Sequence, residues 1–407
     1  MPEPMPRRVV VTGLGAVSSI GTGADVFAAG IRAGRNGFRP INSFDSTGFP
    51  ATIAAEVPDF DPTALIRNLD VEQWGRSSLL AAAAARQAVG DSGLDPDELA
   101  ASAAGSIIGT TGGESVPIGQ LVGQWVADGL KSIDGRIVPQ ALASQIANAV
   151  NSELGLTGDA VTLGTACSAS NFAIGYAYDL VRTGEADFMI AGGADAVNRS
   201  THAGFYRLGA LSTDGVCRPF DVDRSGIITG EGGVALLLEP LEHAQARGAR
   251  IYAEVLGYGM NCDARHMVNP DSERIAECIR LAHDSAGVTP EDIDYICAHG
   301  TGTATNDSTE VSAARKVFGE TLPPISSIKS SIGHTMGAAS GFGALICCLA
   351  VHEGFLPPTA NLQRIDPALG RGIDPLPGVA REEPVRIAQN HGFAFGGNNA
   401  ITIFGRL

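Results

Sequence analysis

The sequence predicts an α/β protein assembled from two copies of one layered unit. Three observations lead there. Short apolar runs rich in Val, Ile and Ala alternate with small-residue helical stretches, the pattern of strands buried between layers of helices. A segment of the first half of the chain recurs in the second half. The 407 residues, 44% hydrophobic and 18% charged, are enough for a large core and show none of the compositional bias of a fibrous or disordered chain.

The first strand is read at Arg8-Val9-Val10-Val11. The following Gly13-Leu14-Gly15-Ala16-Val17-Ser18 superficially suggests a dinucleotide loop. It lacks the third glycine and an acidic residue at the ribose distance, so no nucleotide cofactor is expected. The Ala-rich stretch 79–89 reads as a helix. It runs through Gly90-Asp91-Ser92-Gly93-Leu94-Asp95-Pro96 into the apolar run Ser106-Ile107-Ile108 and the loop Gly109-Thr110-Thr111-Gly112-Gly113. The later copy reads Leu281-Ala282-His283-Asp284-Ser285-Ala286-Gly287-Val288-Thr289-Pro290, then an apolar run to Gly300-Thr301-Gly302-Thr303. Both are a helix, a Pro-containing turn, a buried strand and a Gly/Thr loop.

Further strands are read near residues 160–163, 188–191, 233–238 and 400–404. A second alignment pairs Ala169-Ser170-Asn171-Phe172 with Ala339-Ser340-Gly341-Phe342, each opening an apolar, small-residue helix. On this reading Cys167 and His334 begin equivalent helices. The first copy occupies residues 1–250 and the second 251–407, with no low-complexity linker between them. The excess of the first copy, residues 114–145 and 198–226, is expected to form insertions around a substrate entrance.

A formal charge of −16 argues against nucleic acid as a partner. The longest apolar stretch, near 344–351, is too short to span a bilayer, so no membrane association is expected. The start, Met1-Pro2-Glu3-Pro4-Met5-Pro6-Arg7-Arg8, has no signal-peptide hydrophobic region, which makes the cytoplasm the expected location. Seven cysteines lie scattered without CxxC or Cys/His metal spacing, so neither a disulfide framework nor a metal is expected.

Three clusters carry chemistry. Cys167, in Gly164-Thr165-Ala166-Cys167-Ser168-Ala169, stands between a strand and a helix. A lone cysteine is most often a small core residue. Here the helix N-terminus would favour thiolate, and the small flanking residues would let a thioester carbonyl approach. His299 follows a strand in His299-Gly300-Thr301-Gly302-Thr303, where Thr301 and Thr303 offer hydroxyls to a polar arm such as pantetheine. His334 follows Lys329 in Lys329-Ser330-Ser331-Ile332-Gly333-His334. Two neutral imidazoles can donate hydrogen bonds to a thioester oxygen as an enolate forms on it. His202, His243, His283, His352 and His391 show no such context, and His266 is read as structural. The turn Gly392-Phe393-Ala394-Phe395-Gly396-Gly397-Asn398-Asn399 precedes the last strand and can aim backbone N–H groups at an oxyanion.

Over essentially its whole length the chain resembles the β-ketoacyl-acyl carrier protein synthases of the elongating, Cys-His-His type. The stretches that carry the resemblance are Arg8 to Gly15, Thr165-Ala166-Cys167-Ser168-Ala169, Arg218-Pro219-Phe220-Asp221, Gly230-Glu231-Gly232, His299 to Thr303, Asn306-Asp307 and Lys329 to His334. The resemblance implies a thiolase-type αβαβα five-layer sandwich from two repeated βαβαβαββ halves. It implies Cys167 as nucleophile and the backbone N–H groups of Cys167 and Phe395 as oxyanion hole. His299 and His334 would drive malonyl decarboxylation, with Lys329 ordering the site in a pair with Glu310. Phe395 and Thr111 would shape and gate the pocket. An acyl carrier protein would be the partner, docking through arginines such as Arg67 and Arg207. The protein would be a homodimer, or a heterodimer with a ketosynthase-like chain-length factor, and would need no metal or redox cofactor.

The product would be a 3-ketoacyl chain two carbons longer. Gly343 stands where the family commonly has a glutamate, Cys297 where it has an asparagine, and Gly397-Asn398-Asn399 replaces Gly-Thr-Asn. The Gly109 to Gly113 loop is a residue shorter. These departures suggest a type II polyketide or polyene pathway over housekeeping fatty-acid elongation. A thiolase would need a second active-site cysteine near the C-terminus, whereas the last is Cys348. A non-catalytic partner subunit usually lacks the nucleophile. Acyl transfer without condensation would leave the two histidines without a task.

Overall fold

A computed structural model describes residues 6–407, so residues 1–5 of the leader reading lie outside it. Ten strands build the frame. The first half contributes β1 (Val9–Ser18), β2 (Ala104–Gly109), β3 (Ala160–Leu163), β4 (Phe188–Asp195) and β5 (Gly232–Pro240). The second contributes β6 (Ala253–Cys262), β7 (Tyr295–Cys297), β8 (Ile325–Ser326), β9 (Ile387–Phe393) and β10 (Asn398–Gly405).

The strand order is β3-β2-β4-β5-β1 in one half and β8-β7-β9-β10-β6 in the other. The halves repeat each other strand for strand. In each, two antiparallel pairings lie inward (β1–β5–β4 and β6–β10–β9) and two parallel ones outward (β4–β2–β3 and β9–β7–β8). The two sheets are stitched edge to edge where Val9, Val10 and Val11 of β1 pair with Val255, Glu254 and Ala253 of β6.

Eight helices matter for the layers: α1 (Arg76–Ser92), α2 (Ser115–Asp128), α3 (Gln145–Leu154), α4 (Ala169–Thr183), α5 (Arg199–Arg207), α6 (Ser272–Ala286), α7 (Ala304–Phe318) and α8 (Ala339–Glu353). The pair α1 and α3 covers the outer face of the first sheet, and α6 and α7 that of the second. Between the sheets lie α4 and α8, which completes a five-layer αβαβα sandwich. The stretch Met336–Glu353 is long and apolar enough to cross a membrane, but 89% of it is buried, as its place between two sheets requires.

Local chemistry explains why the repeat was visible in the sequence. Both α1 and α6 stop at a left-handed glycine, Gly93 at φ +64 and Gly287 at φ +65, each followed by the Pro-containing turn. The glycines of the apparent dinucleotide loop serve packing instead. A Cβ at Gly15 would sit 1.8 Å from the Ala84 carbonyl oxygen, and one at Gly13 2.0 Å from that of Ala88. The alanine run of α1 therefore lies directly on β1.

Of the two insertions, residues 198–226 wall the main cavity through Phe205, Leu208, Gly209, Ala210, Arg224 and Ser225. Residues 114–145 do not line it, contrary to the expectation. They form α2 and the turns after it, which present Ile118, Val122, Trp125, Val126 and Leu130 to solvent.

Gly15→Ala should destabilise the protein by about 3 kcal/mol or more, because its methyl meets backbone that cannot yield. Denaturant melts beside a control at the open Gly119, where a Cβ meets nothing, check this.

Candidate active site

Cys167 sits in a tight turn, Ala166–Ser168, that leads into α4. Ala166 takes φ +52, a left-handed conformation that a residue with a Cβ adopts only under constraint. The second half repeats the device: Met336 takes φ +54 and opens the turn Met336–Ala338 into α8. The structural counterpart of Cys167 is thus Gly337. His334 lies upstream of that turn, which corrects the reading that it begins the equivalent helix.

The two elbows are bonded to each other. Ser170 Oγ donates to the Gly337 carbonyl at 2.6 Å, and Asn171 N–H to Ser340 Oγ at 3.2 Å. Asp195, at the end of β4, accepts from Thr110 Oγ1 (2.8 Å), Gly112 N–H (2.9 Å), Thr111 N–H (2.7 Å) and Gly337 N–H (2.6 Å). Burial pushes this carboxyl up to about 6, and those four donors pull against the rise.

A cavity of about 350 Å³ opens over the elbows, with Cys167, His299, His334, Thr301, Thr303 and Phe395 in its wall. The two imidazole rings stand 5.5 Å apart, centroid to centroid, nearly at right angles. His334 Nδ1 accepts the Met336 N–H at 3.1 Å, so its proton resides on Nε2. Burial, and then the Lys329 charge, push His334 down to about 3 and His299 well below the ordinary imidazole value. Both rings are therefore neutral donors at physiological pH. His299 Nδ1 is buried without a partner among the described residues, so no bond to the ring fixes its aim.

The Lys329 charge, acting through space, and the backbone N–H groups of Phe395 and Cys167 all favour the Cys167 thiolate. Burial nonetheless outweighs these and pushes the thiol up to about 11. The thiol, not the thiolate expected at a helix N-terminus, is the resting form, because burial of the sulfur outweighs the charge and donors around it.

A cysteine thiol and two neutral imidazoles around one cavity, with a buried lysine acting on the sulfur through space, define a site, and comparison with known proteins gives it a family. The sequence matches the Beta-ketoacyl synthase, N-terminal domain over residues 6–244 and the Beta-ketoacyl synthase, C-terminal domain over residues 252–363. The chain belongs to the β-ketoacyl synthase family. It is similar to "The ishigamide ketosynthase/chain length factor", a solved structure 48% identical with a TM-score of 0.96, covering 99% of this chain and 100% of that one. Nodulation protein E of Rhizobium sp. (strain N33) is 39% identical over 98% of this chain and 99% of its own. The 3-oxoacyl-[acyl-carrier-protein] synthase 2 of Coxiella burnetii is 36% identical over the same shares. As a β-ketoacyl synthase the protein is a condensing acyltransferase of the 3-oxoacyl-forming kind.

Within this family frame the lysine's surroundings differ from expectation. Glu310 does not form an ion pair with Lys329. Its oxygens accept the N–H groups of His299 and Gly300, both at 2.8 Å, and His391 Nδ1 at 2.8 Å, and Lys329 feels its charge only through space. Burial lowers the Lys329 ammonium, while Cys297, Glu310 and Cys167 draw it back up. His391, for which the sequence suggested no chemistry, is fully buried against Glu310. Gly343 leaves no room for the family's common glutamate, since even a Cβ there would lie 2.2 Å from Asn390 Oδ1 and 3.4 Å from Cys297 Sγ.

Phe395 walls the cavity beside Phe205, ring centroids 5.7 Å apart. Thr301 and Thr303 share a hydrogen bond of 2.8 Å at its mouth. Thr111 lies behind the elbow, bonded by its N–H to Asp195, and does not line this cavity. Arg207 ends α5 beside the lining residues Leu208 and Gly209. Arg67 lies on a separate cleft with Arg86 and Glu153, none of whose residues reaches the cavity. His266 is structural, its Nδ1 accepting the N–H groups of Val268 and Asn269, both at 3.0 Å.

A thiol raised to about 11 carries little thiolate at neutral pH. Alkylation of Cys167 by iodoacetamide, followed by peptide mass spectrometry, should therefore accelerate about tenfold per pH unit from 7 to 10 without a plateau. Lys329→Met removes a charge that favours thiolate and should slow it further at each pH.

Proposed function

We propose that the protein condenses an acyl group held on Cys167 with malonyl-acyl carrier protein in a type II polyketide or polyene pathway. The observation that carries this is the cavity itself, whose wall brings together Cys167, two neutral imidazoles and Phe395. In the first half-reaction the Cys167 sulfur attacks the acyl thioester of the carrier. The N–H groups of Cys167 and Phe395 hold the oxyanion, and the carrier thiol leaves with the Cys167 proton.

In the second, His299 and His334 donate to the malonyl thioester oxygen. The bond to the carboxylate breaks, CO2 departs, and the enolate carbon attacks the acyl-Cys167 carbonyl. Collapse expels the Cys167 thiolate, which takes a proton from solvent, and releases a 3-ketoacyl chain longer by two carbons. No step in this scheme calls on a metal or redox cofactor. Thr301 and Thr303 in the cavity wall would hold the pantetheine arm, and Arg207, beside the lining residues Leu208 and Gly209, would be the docking arginine.

Support for the pathway comes from the ishigamide ketosynthase likeness and from the Gly343, Cys297 and Asn398 departures. Support for a partner subunit comes from the surface. Strand β3 ends the sheet with only β2 beside it, and the insertion 114–145 exposes Trp125 by 54% and Val126 by 79%. A second ketosynthase-like subunit, identical or not, would cover such an open strand edge or such an apolar helix. The working location we assign is the cytoplasm.

Intact-protein mass spectrometry with an acyl-carrier protein should show a gain of one acyl group, absent in Cys167→Ala. Malonyl-carrier protein should then yield CO2 and a 3-ketoacyl product. His334→Ala should lower decarboxylation about 10²–10³-fold, the usual loss for one oxyanion donor, while leaving the acylation of Cys167 in place. No acylation of the chain alone, restored by a co-purified partner, would place the activity in the heterodimer. No acylation under either condition would overturn the reading.

A further inference from the structure

Behind the reacting cavity, and outside its lining, runs a chain of fully satisfied hydrogen bonds between buried side chains. His283 on α6 meets Gln389 Oε1 through Nε2 at 2.7 Å. Gln389 Nε2 meets His391 Nε2 at 2.6 Å, and His391 Nδ1 meets Glu310 Oε1 at 2.8 Å. Glu310 ends the chain on two successive backbone N–H groups, those of His299 and Gly300.

The Glu310 carboxylate only accepts, so His391 Nδ1 carries a proton pointed at it. An amide nitrogen only donates, so His391 Nε2 accepts. Gln389 Oε1 only accepts, so the His283 proton stands on Nε2. Every donor in the series meets an acceptor, and no other set of neutral tautomers satisfies all the bonds. Phe393 packs against both ends of the tether, 5.2 Å from the His391 ring and 5.7 Å from that of His299. At the far end Gly300 takes φ +37, and the His299 ring has no side-chain partner. The aim of His299 is therefore set through its backbone.

We propose that His391 is a positioning residue for the decarboxylative half-reaction. Its Nδ1–H holds the Glu310 carboxylate in the orientation that fixes the His299 backbone, and Gln389 and His283 fix the tautomer that does so. The inference rests on the condensation proposed above, and His391 itself touches no substrate.

Two substitutions separate the nitrogen from the bulk of the ring. His391→Asn sets an amide N–H where Nδ1–H stands, whereas His391→Gln reaches toward the Nε2 position and leaves Glu310 Oε1 without its side-chain donor, Asn306 Nδ2 still reaching Oε2 at 3.4 Å. Three readouts on the whole protein suffice: acylation of Cys167, release of CO2 from malonyl-carrier protein, and hydrogen–deuterium exchange of the peptide covering residues 298–303. His391→Asn should stay within about threefold of the native enzyme in all three. His391→Gln should lose about tenfold in kcat for CO2 release, the effect of one buried charge-assisted bond, with KM and acylation changed by no more than about twofold. Exchange in the peptide should quicken about tenfold in the same variant. Asn and Gln variants that behave alike in both CO2 release and exchange, whether intact or impaired, overturn the proposal. A native enzyme that releases no CO2, with exchange still separating the two variants, leaves the tether standing and defeats the condensation reading instead.

Discussion

The active site stands on one buried carboxylate. Asp195 ends a central strand of the first sheet, and its four donors come from both halves: the Thr110–Gly112 loop of one and Gly337 of the other. A protein built from two copies must hold its two elbows in register, because Cys167 hangs on one and His334 lies just before the other. Asp195, with the Ser170–Gly337 bond, supplies that register. Ionising a group in so dry a place is unfavourable, and the rise of its carboxyl to about 6 reflects this. The neighbouring Gly193 shows how tightly the joint is closed, since a Cβ there would lie 2.2 Å from Ser170 Oγ and 2.9 Å from the Gly337 oxygen.

The same enclosure sets the protonation of everything around the cavity. Burial keeps the thiol protonated and both imidazoles neutral, and the Lys329 charge reinforces the second effect. A site of this kind works by hydrogen-bond donation. Negative charge that forms on a thioester oxygen meets fixed, neutral donors in a low dielectric, where each is worth more than in water and nothing must reorganise. A permanently charged imidazolium would instead favour the malonyl carboxylate that has to leave.

The fold was legible where local chemistry repeats. Gly93 and Gly287 mark the same left-handed helix end, and a Pro-containing turn follows each, so the duplication shows in one dimension. Cys167, His299 and His334 were legible because each lies in a glycine- or small-residue loop that fits a core poorly and a cavity well. The remainder depends on register between distant segments. Glu310 and His391 are separated by many residues, and only the pairing of β7 with β9 and the lie of α7 bring them together. The expected Lys329–Glu310 pair failed because two backbone N–H groups occupy the carboxylate, and backbone donors leave no mark in a sequence. The match between Cys167 and Gly337 is visible only in the left-handed φ of Ala166 and Met336, residues whose identity gives no hint of it.

The departures around Lys329 form one coupled change. Asn390 donates through Nδ2 to Asn171 Oδ1 at 2.7 Å and to the Ser340 carbonyl at 2.8 Å, so it ties β9 to α4 and α8. Its Oδ1 then projects over residue 343, and only glycine leaves it space. The Asn390 amide thus fills the space into which a side chain at residue 343 would project. The carboxylate charge that Lys329 still feels through space comes from Glu310, whose orientation depends on His391. Restoring a glutamate at position 343 alone would therefore drive its Cβ into Asn390. The two arrangements of charge behind the lysine are alternatives, and passing from one to the other requires residues 343 and 390 to change together.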